Sequence, residues 1–448
     1  MPIEVLYILV LLAVICLTFL VLKRPIYECM FYGYILMLLL TGEVKNFFTY
    51  IVDTSSDTLF YSIIAFLVLA KILDATHAVD TVVSVIVAIF GRFRGGAGLT
   101  AVIGSTFMGA LSGSGAGNVA TTGVFTIPAM KKSGFPAHLA ANVECAASTM
   151  GNMIPPAGVI VVALACYNEF SGDEMSQSTF WIAMWGVAVW FILQRLITLF
   201  VFCRIYKVQP MAKEDIPSIK ETLKEGWANL FLPVIILTPF VLDYFLKEPV
   251  FSVRLGAGAG NFSSSILLFT PGLAATYALL VNRKKFRAGE LVKVVKESVT
   301  GIVPVGATIF FAYCISGLFS ATDVGTAIGE YIQSWNLSVV ALAIIIPLIT
   351  AVLGMVLPGS AQTKIFGGTI ISVFAAAGGN PLLAAIMLPV ITGAMEGMTP
   401  PLAICMYTAM GIAGSDMKST TKNCLVWVGL HLILSIICMM GLLPIMGL

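Results

Sequence analysis

The sequence predicts an all-α, polytopic membrane protein made of two inverted-topology repeats, each holding a re-entrant hairpin and a broken helix. Three observations carry that reading. Of 448 residues 58% are hydrophobic and only 11% charged, with a mean hydropathy of +0.98, whereas a soluble domain is about 25% charged. Two clusters of helix breakers interrupt the apolar sequence, at 112–156 and at 358–401. The clusters also echo each other at a fixed spacing, while the charges that flank them change sign.

The first apolar run, 5–22, is long enough to span a bilayer. No basic region precedes it and no small-residue cleavage site follows, so it is expected to be a retained first helix flanked by Lys23 and Arg24 rather than a signal peptide. Further apolar runs cover 30–42, 59–73, 81–91, 97–111, 118–130, 136–151, 157–168 and 178–203. The most polar stretch, 204–227, carries Lys207, Lys213, Lys220 and Lys224 and divides the chain into two similar halves. Apolar runs resume at 228–246, 262–282, 299–319, 337–357, 365–378, 381–395, 402–413 and 424–446. Crossing a core of about 30 Å takes about 20 helical residues. Several runs are shorter, and these lie beside the breaker clusters, as hairpins and half-helices would.

Basic loops mark the cytoplasmic side, which places 204–224 and the cluster at Arg283, Lys284, Lys285 and Arg287 inside, two spans apart. Working backwards, 178–203 descends from an outer loop that holds Glu169, Asp173 and Glu174, and 136–168 rises from Lys131-Lys132 as one broken helix. The runs 97–111 and 118–130 then form a hairpin that enters from the cytoplasm beside Arg92 and Arg94, with SGSGAG at its buried tip.

Pro155-Pro156 recurs as Pro400-Pro401, an offset of 245 (401 − 156). At that offset Gly134-Phe135-Pro136 matches Gly379-Asn380-Pro381, Met153 matches Met398 and Gly109 matches Gly354; Gly113-Ser114 returns as Gly359-Ser360 after a slip of one residue. The loop after the first broken helix is acidic, whereas its counterpart carries Lys418 and Lys422. Arg92 and Arg94 stand ahead of the first hairpin, Asp323 and Glu330 ahead of the second. The second unit therefore runs the opposite way, with its hairpin entering from outside. Inverted repeats with paired broken helices are the architecture of alternating access, and irregular backbone at membrane depth must line a cavity or be buried in protein.

Other function classes lack their signatures. No GxxxxGK[ST] phosphate loop is present, and the glycines of GSGAGNVATTG have the wrong spacing for a dinucleotide fingerprint. The net charge of +2 offers no basic face for nucleic acid. Nine scattered cysteines without a CxxC or cysteine–histidine cluster read as small buried hydrophobes, and three scattered histidines provide no membrane-enzyme centre. A channel would need a continuous polar lining, while here the polar elements gather at two breaks.

The segment SGSGAGNVATTGVFTIPAMKKSGF, followed by AANVECAASTMGNMIPP and, in the second unit, by PGSAQ and GMTPP, resembles the large membrane subunit of tripartite ATP-independent periplasmic (TRAP) transporters, especially the branch whose binding proteins are called TAXI. The resemblance covers most of the chain. It implies an elevator-type permease of the ion transporter superfamily, without a bound cofactor, coupled to Na⁺. It also implies a smaller membrane subunit and a periplasmic substrate-binding protein as partners.

A hairpin tip facing a helix break offers free carbonyls, hydroxyls and amide oxygens, which suit a hard cation. The expected Na⁺ ligands are Ser114, Gly115, Asn118, Asn152 and Ile154 in the first unit. In the second they are Ser360, Gln362, Thr363, Gly397 and Thr399. Close packing of small residues is the competing reading for both tips. A substrate carboxylate would meet the free N–H groups of the tips, at Ser112, Gly113, Ser114, Gly359 and Ser360, beside the prolines Pro156 and Pro401 of the breaks, with Lys364 as the nearest cation. Glu144 and Glu396, charged residues inside apolar segments, are the expected coupling groups; internal pairing is the alternative. Arg195, His77 and His138 read as interfacial anchors or caps near the cytoplasmic ends.

The expected organisation is scaffold at 1–91, a first transport unit at 92–168, scaffold with the cytoplasmic linker at 169–336, a second transport unit at 337–413 and a scaffold helix at 414–448. The expected activity is import of a small organic anion across the inner membrane. A stand-alone Na⁺- or H⁺-coupled carrier or antiporter on the same scaffold is the alternative.

Overall fold

The structure, a computed structural model, describes residues 2–448 apart from 77, 113–114, 173–174, 257, 284–287, 356 and 401–402. The described residues form helices and turns, with no strand among them. The first half runs α1 (Ile3–Cys16), α2 (Ile26–Thr41), α3 (Phe47–Ser56), α4 (Thr58–Ala75) and α5 (Ala78–Phe90). It continues through α6 (Gly96–Ser112), α7 (Gly115–Lys132), α8 (Ala137–Met150), α9 (Gly158–Ser171), α10 (Gln177–Ile205) and α11 (Ile219–Gly226). The second half runs α12 (Leu232–Leu246), α13 (Val253–Leu255), α14 (Gly258–Val281), α15 (Ala288–Ala321), α16 (Val324–Gln333) and α17 (Val339–Leu353). It closes with α18 (Gly359–Ala376), α19 (Pro381–Ile391), α20 (Gly393–Glu396), α21 (Ile404–Ala413) and α22 (Met417–Met439).

Among the described residues five helical stretches are long and apolar enough to cross a membrane: Ala137–Ser171, Gln177–Ile205, Trp227–Leu246, Ile302–Ala321 and Met417–Met439. A sixth is added if Val44–Ser56 and Phe60–Leu73, bent by 52°, count as one. Burial ranks them. In the most apolar 18-residue window of the α8–α9 stretch 94% of the residues are buried, and this stretch forms the axis of the molecule, while in that of Trp227–Leu246 only 28% are.

The α8 sequence AHLAANVECAASTM explains its central position: small side chains let helices approach from every side, and every residue from Leu139 to Met150 is buried. The two halves of the chain interlock around this axis. Helices α6 and α7 of the first half pack on α8, and so does α21 of the second; α18 and α19 of the second half pack on α9. A triad of cores results, one around α9 and α19, one around α8 and α21, and one between α1, α2 and α15.

Glycine sets the closest approaches. A Cβ on Gly151 would lie 2.0 Å from the Gly109 carbonyl carbon, and one on Gly359 would lie 2.4 Å from the Gly393 Cα. In each half, hairpin and broken helix thus touch backbone to backbone, a distance that any side chain would prevent.

The polar stretch 204–227 folds as short turns ending in α11 and is stitched to the helix ends expected on the cytoplasmic side. The Arg94 Nε donates to the Val208 carbonyl at 2.9 Å, the Gln209 amide to the Ser133 carbonyl at 2.9 Å, and Lys132 pairs with Asp215 at 2.7 Å. Lys131 on the same face donates to the carbonyl of Ala413, the last residue of α21, at 2.8 Å.

Arg195 departs from expectation. Instead of reaching out to an interface, it is fully buried. Four further elements, α3, α11, α13 and α16, fall outside the predicted apolar runs; all are short helices.

Candidate functional site

Both predicted breaks are present. The α8 helix ends in a tight turn at 151–153, and Ile154, Pro155 and Pro156 separate it from α9. Proline supplies no N–H and cannot continue the ladder. In the second unit α19 stops at Thr392, α20 forms one turn, and residues 397–403 separate it from α21. Two bonds join the elements here: the Asn152 Nδ2 donates to the Gly393 carbonyl at 2.5 Å, and the Thr363 and Thr392 hydroxyls lie 2.8 Å apart.

A cavity of about 50 Å³ opens where the breaks meet. Its polar lining is Asn152, Ser360 and Glu396, with Ala110, Pro156 and Gly393 closing the same wall, and apolar side chains of α4, α9 and α15 cover it. Glu396 accepts the backbone N–H of Gly359, so a carboxylate sits on the first amide of α18, where the helix dipole favours negative charge. Among the substrate candidates the structure thus gathers Pro156, Gly359 and Ser360, together with Asn152 and Glu396 from the other groups. Gly113, Ser114 and Pro401 lie outside the described residues, as does the side chain of Ser112.

The amide candidates sit one layer back. The Asn118 Nδ2 donates to the Ser105 carbonyl at 2.6 Å and to the Ser148 hydroxyl at 3.0 Å, while the Gln362 Nε2 donates to the Leu357 carbonyl at 2.9 Å. The remaining oxygens, Asn118 Oδ1 and Gln362 Oε1, are buried and meet no donor among the described residues. An orphan amide oxygen in each unit is the donor type a hard cation takes. Gly115 packs against the Cys405 sulfur. The Ile154 carbonyl accepts the Ala157 N–H at 3.2 Å, and the Thr399 hydroxyl donates to the Met395 carbonyl at 2.9 Å. The Gly397 carbonyl accepts the Met406 N–H at 3.2 Å.

Glu144 stands apart from the cavity. It is fully buried in a nest of hydroxyl donors: Ser105 and Thr122 at 2.7 Å, Thr126 at 2.5 Å and Ser148 at 3.0 Å. Lys364 is also remote. It pairs with Glu169 and lies 4.4 Å from the centroid of the Tyr313 ring. The pair borders a separate cleft of about 240 Å³ that also meets Asp323, Ser316 and Ser372. Its charge is therefore met by α9 rather than presented at the paired breaks.

Sequence reasoning missed the hydroxyl nest, although Thr122 and Thr126, and Glu144 and Ser148, each share a helix face at four-residue spacing. It also missed His431, which is fully buried; a lone histidine in an apolar helix carries no sign of its partner.

Helical membrane architecture and paired breaks around a small polar cavity define a membrane transporter. The solved Alcanivorax borkumensis YdaH transporter shares the fold, with a TM-score of 0.66 at 16% identity over 94% of this chain and 98% of that one. The family model described as tripartite ATP-independent periplasmic transporter, DctM component, matches residues 7–442, and the chain belongs to that family. It is 28% identical over 392 residues to the C4-dicarboxylate TRAP transporter large permease protein DctM of Vibrio cholerae, covering 84% of this chain and 82% of that protein. It is 23% identical over 352 residues to the isethionate TRAP transporter permease protein DctMQ of Oleidesulfovibrio alaskensis, covering 76% of this chain and 50% of that protein.

Proposed function

We propose that this chain is the permease subunit that imports a small organic anion across the inner membrane, driven by Na⁺. A periplasmic substrate-binding protein would deliver the anion, and a small membrane subunit would complete the complex. The observation that carries the reading is the meeting of both helix breaks at one cavity with a helix N-terminus in its wall. Relatives named for C4-dicarboxylates and for isethionate support a carboxylate or sulfonate as the substrate. The TAXI-type branch is supported by the tip segment alone.

The residues suggest a division of labour. Ser360 and the free N–H groups at the start of α18 would receive the anion, with Asn152 holding the opposite wall through Gly393. Glu396 occupies the same amide end and would yield it when substrate binds. The amide oxygens of Asn118 and Gln362 would ligate Na⁺, and each cation would neutralise the carboxylate that the site otherwise meets with dipoles only. Glu144, held by four hydroxyls, would be the coupling group of the first unit.

Alternating access follows from the inverted repeat. The bond from Lys131 to Ala413 joins the end of the first hairpin to the end of the second broken helix. The Lys364–Glu169 pair joins the end of the first broken helix to the second hairpin. Both contacts support antiparallel units. The units 92–168 and 337–413 would then move against the remaining helices as an elevator.

The test is uptake in proteoliposomes with an inward Na⁺ gradient, with the binding protein and small subunit added. Accumulation of a C4-dicarboxylate or isethionate that collapses when Na⁺ is replaced by choline is the expected result. Uptake indifferent to Na⁺ overturns the coupling.

A further inference from the structure

Arg195 of α10 and His431 of α22 are both fully buried, and neither belongs to the cavity or its cation ligands. Among the described residues no carboxylate pairs with the guanidinium. Its bonds go elsewhere. The Nε donates to the Ala146 carbonyl at 3.3 Å, Nη1 to Gln194 Oε1 at 2.6 Å, and Nη2 meets the His431 Nδ1 at 3.0 Å. The other ring nitrogen, Nε2, lies 3.0 Å from the Val390 carbonyl. A carbonyl only accepts, so Nε2 carries the proton and Nδ1 accepts from the guanidinium; the imidazole is neutral. The Phe191 ring packs on the imidazole at 4.7 Å and Trp427 lies under the guanidinium at 5.7 Å, so the chain of bonds is fixed from both sides.

What the pair grips is informative. Ala146 lies on α8 just before the turn at 151–153, and Val390 lies on α19 two residues before the kink at Thr392. Under the 245-residue offset Val390 corresponds to Cys145, the neighbour of Ala146. One side-chain pair thus holds nearly the same place on both broken helices, outside the cavity lining. Burying a cation without a counter-ion is costly, and packing alone would be served by an apolar pair of the same volume.

We propose that Arg195 and His431 are positioning residues that fix the two helix breaks relative to each other, so that the half-sites keep one geometry through the transport cycle. The inference rests on reading the breaks as the transport site, but its test does not depend on transport. In the purified chain, His431→Leu and Arg195→Gln should each speed amide exchange at least fivefold in both breaks, 151–157 and 392–400. Exchange in α1 and α2 should stay at the wild-type rate. His431→Gln, whose amide can donate to Val390 and accept from Arg195, should restore exchange to within twofold. A merely local role would loosen only α8 in Arg195→Gln and only α19 in His431→Leu, and that pattern overturns the proposal, as does an unchanged rate in both breaks. If His431→Leu does not fold, Arg195→Lys, which keeps the charge but not the fork of donors, decides by the same criterion. Failure of Na⁺-driven uptake by the wild type would count against the transport reading and leave this result standing.

Discussion

Single side chains in this protein are defined by what they leave unpaired. Asn118 spends its amide donors on the Ser105 carbonyl and the Ser148 hydroxyl, Gln362 donates to the Leu357 carbonyl, and each keeps one oxygen free in a buried place. Replacing either by leucine removes the proposed ligand. The half-saturating Na⁺ concentration for uptake should rise about tenfold, equivalent to about 1.4 kcal/mol; an unchanged Na⁺ dependence in both variants refutes their role as ligands. Glu144 behaves in the opposite way, being saturated with donors. Glu144→Leu would strand hydroxyls around an apolar side chain and should cost about 2 kcal/mol, seen as a lower thermal midpoint in detergent, while Glu144→Gln should lose less than half of that. The sequence marked Glu144 and Glu396 because charge in an apolar run is expensive, and both do sit in polar surroundings. It misplaced Arg195 for the same reason. A long side chain near the end of an apolar run looks able to reach water, and its partner His431 lies 236 residues away. Periodicity describes one helix at a time and gives no depth.

Among the elements, the paired breaks were the most legible part of the chain. Proline and glycine act through the local backbone, so Pro155-Pro156 announces its effect without any tertiary knowledge. The meeting of the breaks was less legible, because it depends on Asn152 reaching the Gly393 carbonyl 241 residues away, and on Gly109 against Gly151 and Gly359 against Gly393, contacts made across intervening helices. These contacts yield a sharp expectation. A methyl on Gly151 would fall 2.0 Å from backbone of α6, and backbone cannot swing aside as a side chain does. Gly151→Ala should lower stability by about 3 kcal/mol. Gly368→Ala, where a Cβ meets open space, should leave the thermal midpoint within about a degree of the wild type. Equal midpoints for Gly151→Ala and Gly368→Ala would show that the close approach is not required. The short helices α3, α11 and α16 were missed because each has one apolar face only, too narrow to register as a membrane run, and α13 because it is a single turn of three residues.

For the molecule as a whole, charge bias gave each unit a side before any contact was known. The stitching of 204–215 to the ends of α5, α6 and α7 agrees with that assignment. A membrane-impermeant maleimide should label Asp173→Cys only from outside and Lys418→Cys only from inside; labelling of both from one side refutes the inversion. The cysteines bear directly on such an experiment. Eight of the nine are buried and all are free, with only Cys16 partly accessible on α1. Because their sulfurs are enclosed by packed helices, the folded protein is nearly mute towards thiol reagents. Any strong reaction must therefore come from a residue placed on its surface or from a native thiol uncovered by movement. Cys145, Cys405 and Cys424 lie on α8, α21 and α22, around the second break. Their reactivity would be a built-in record of how far that region opens during each cycle.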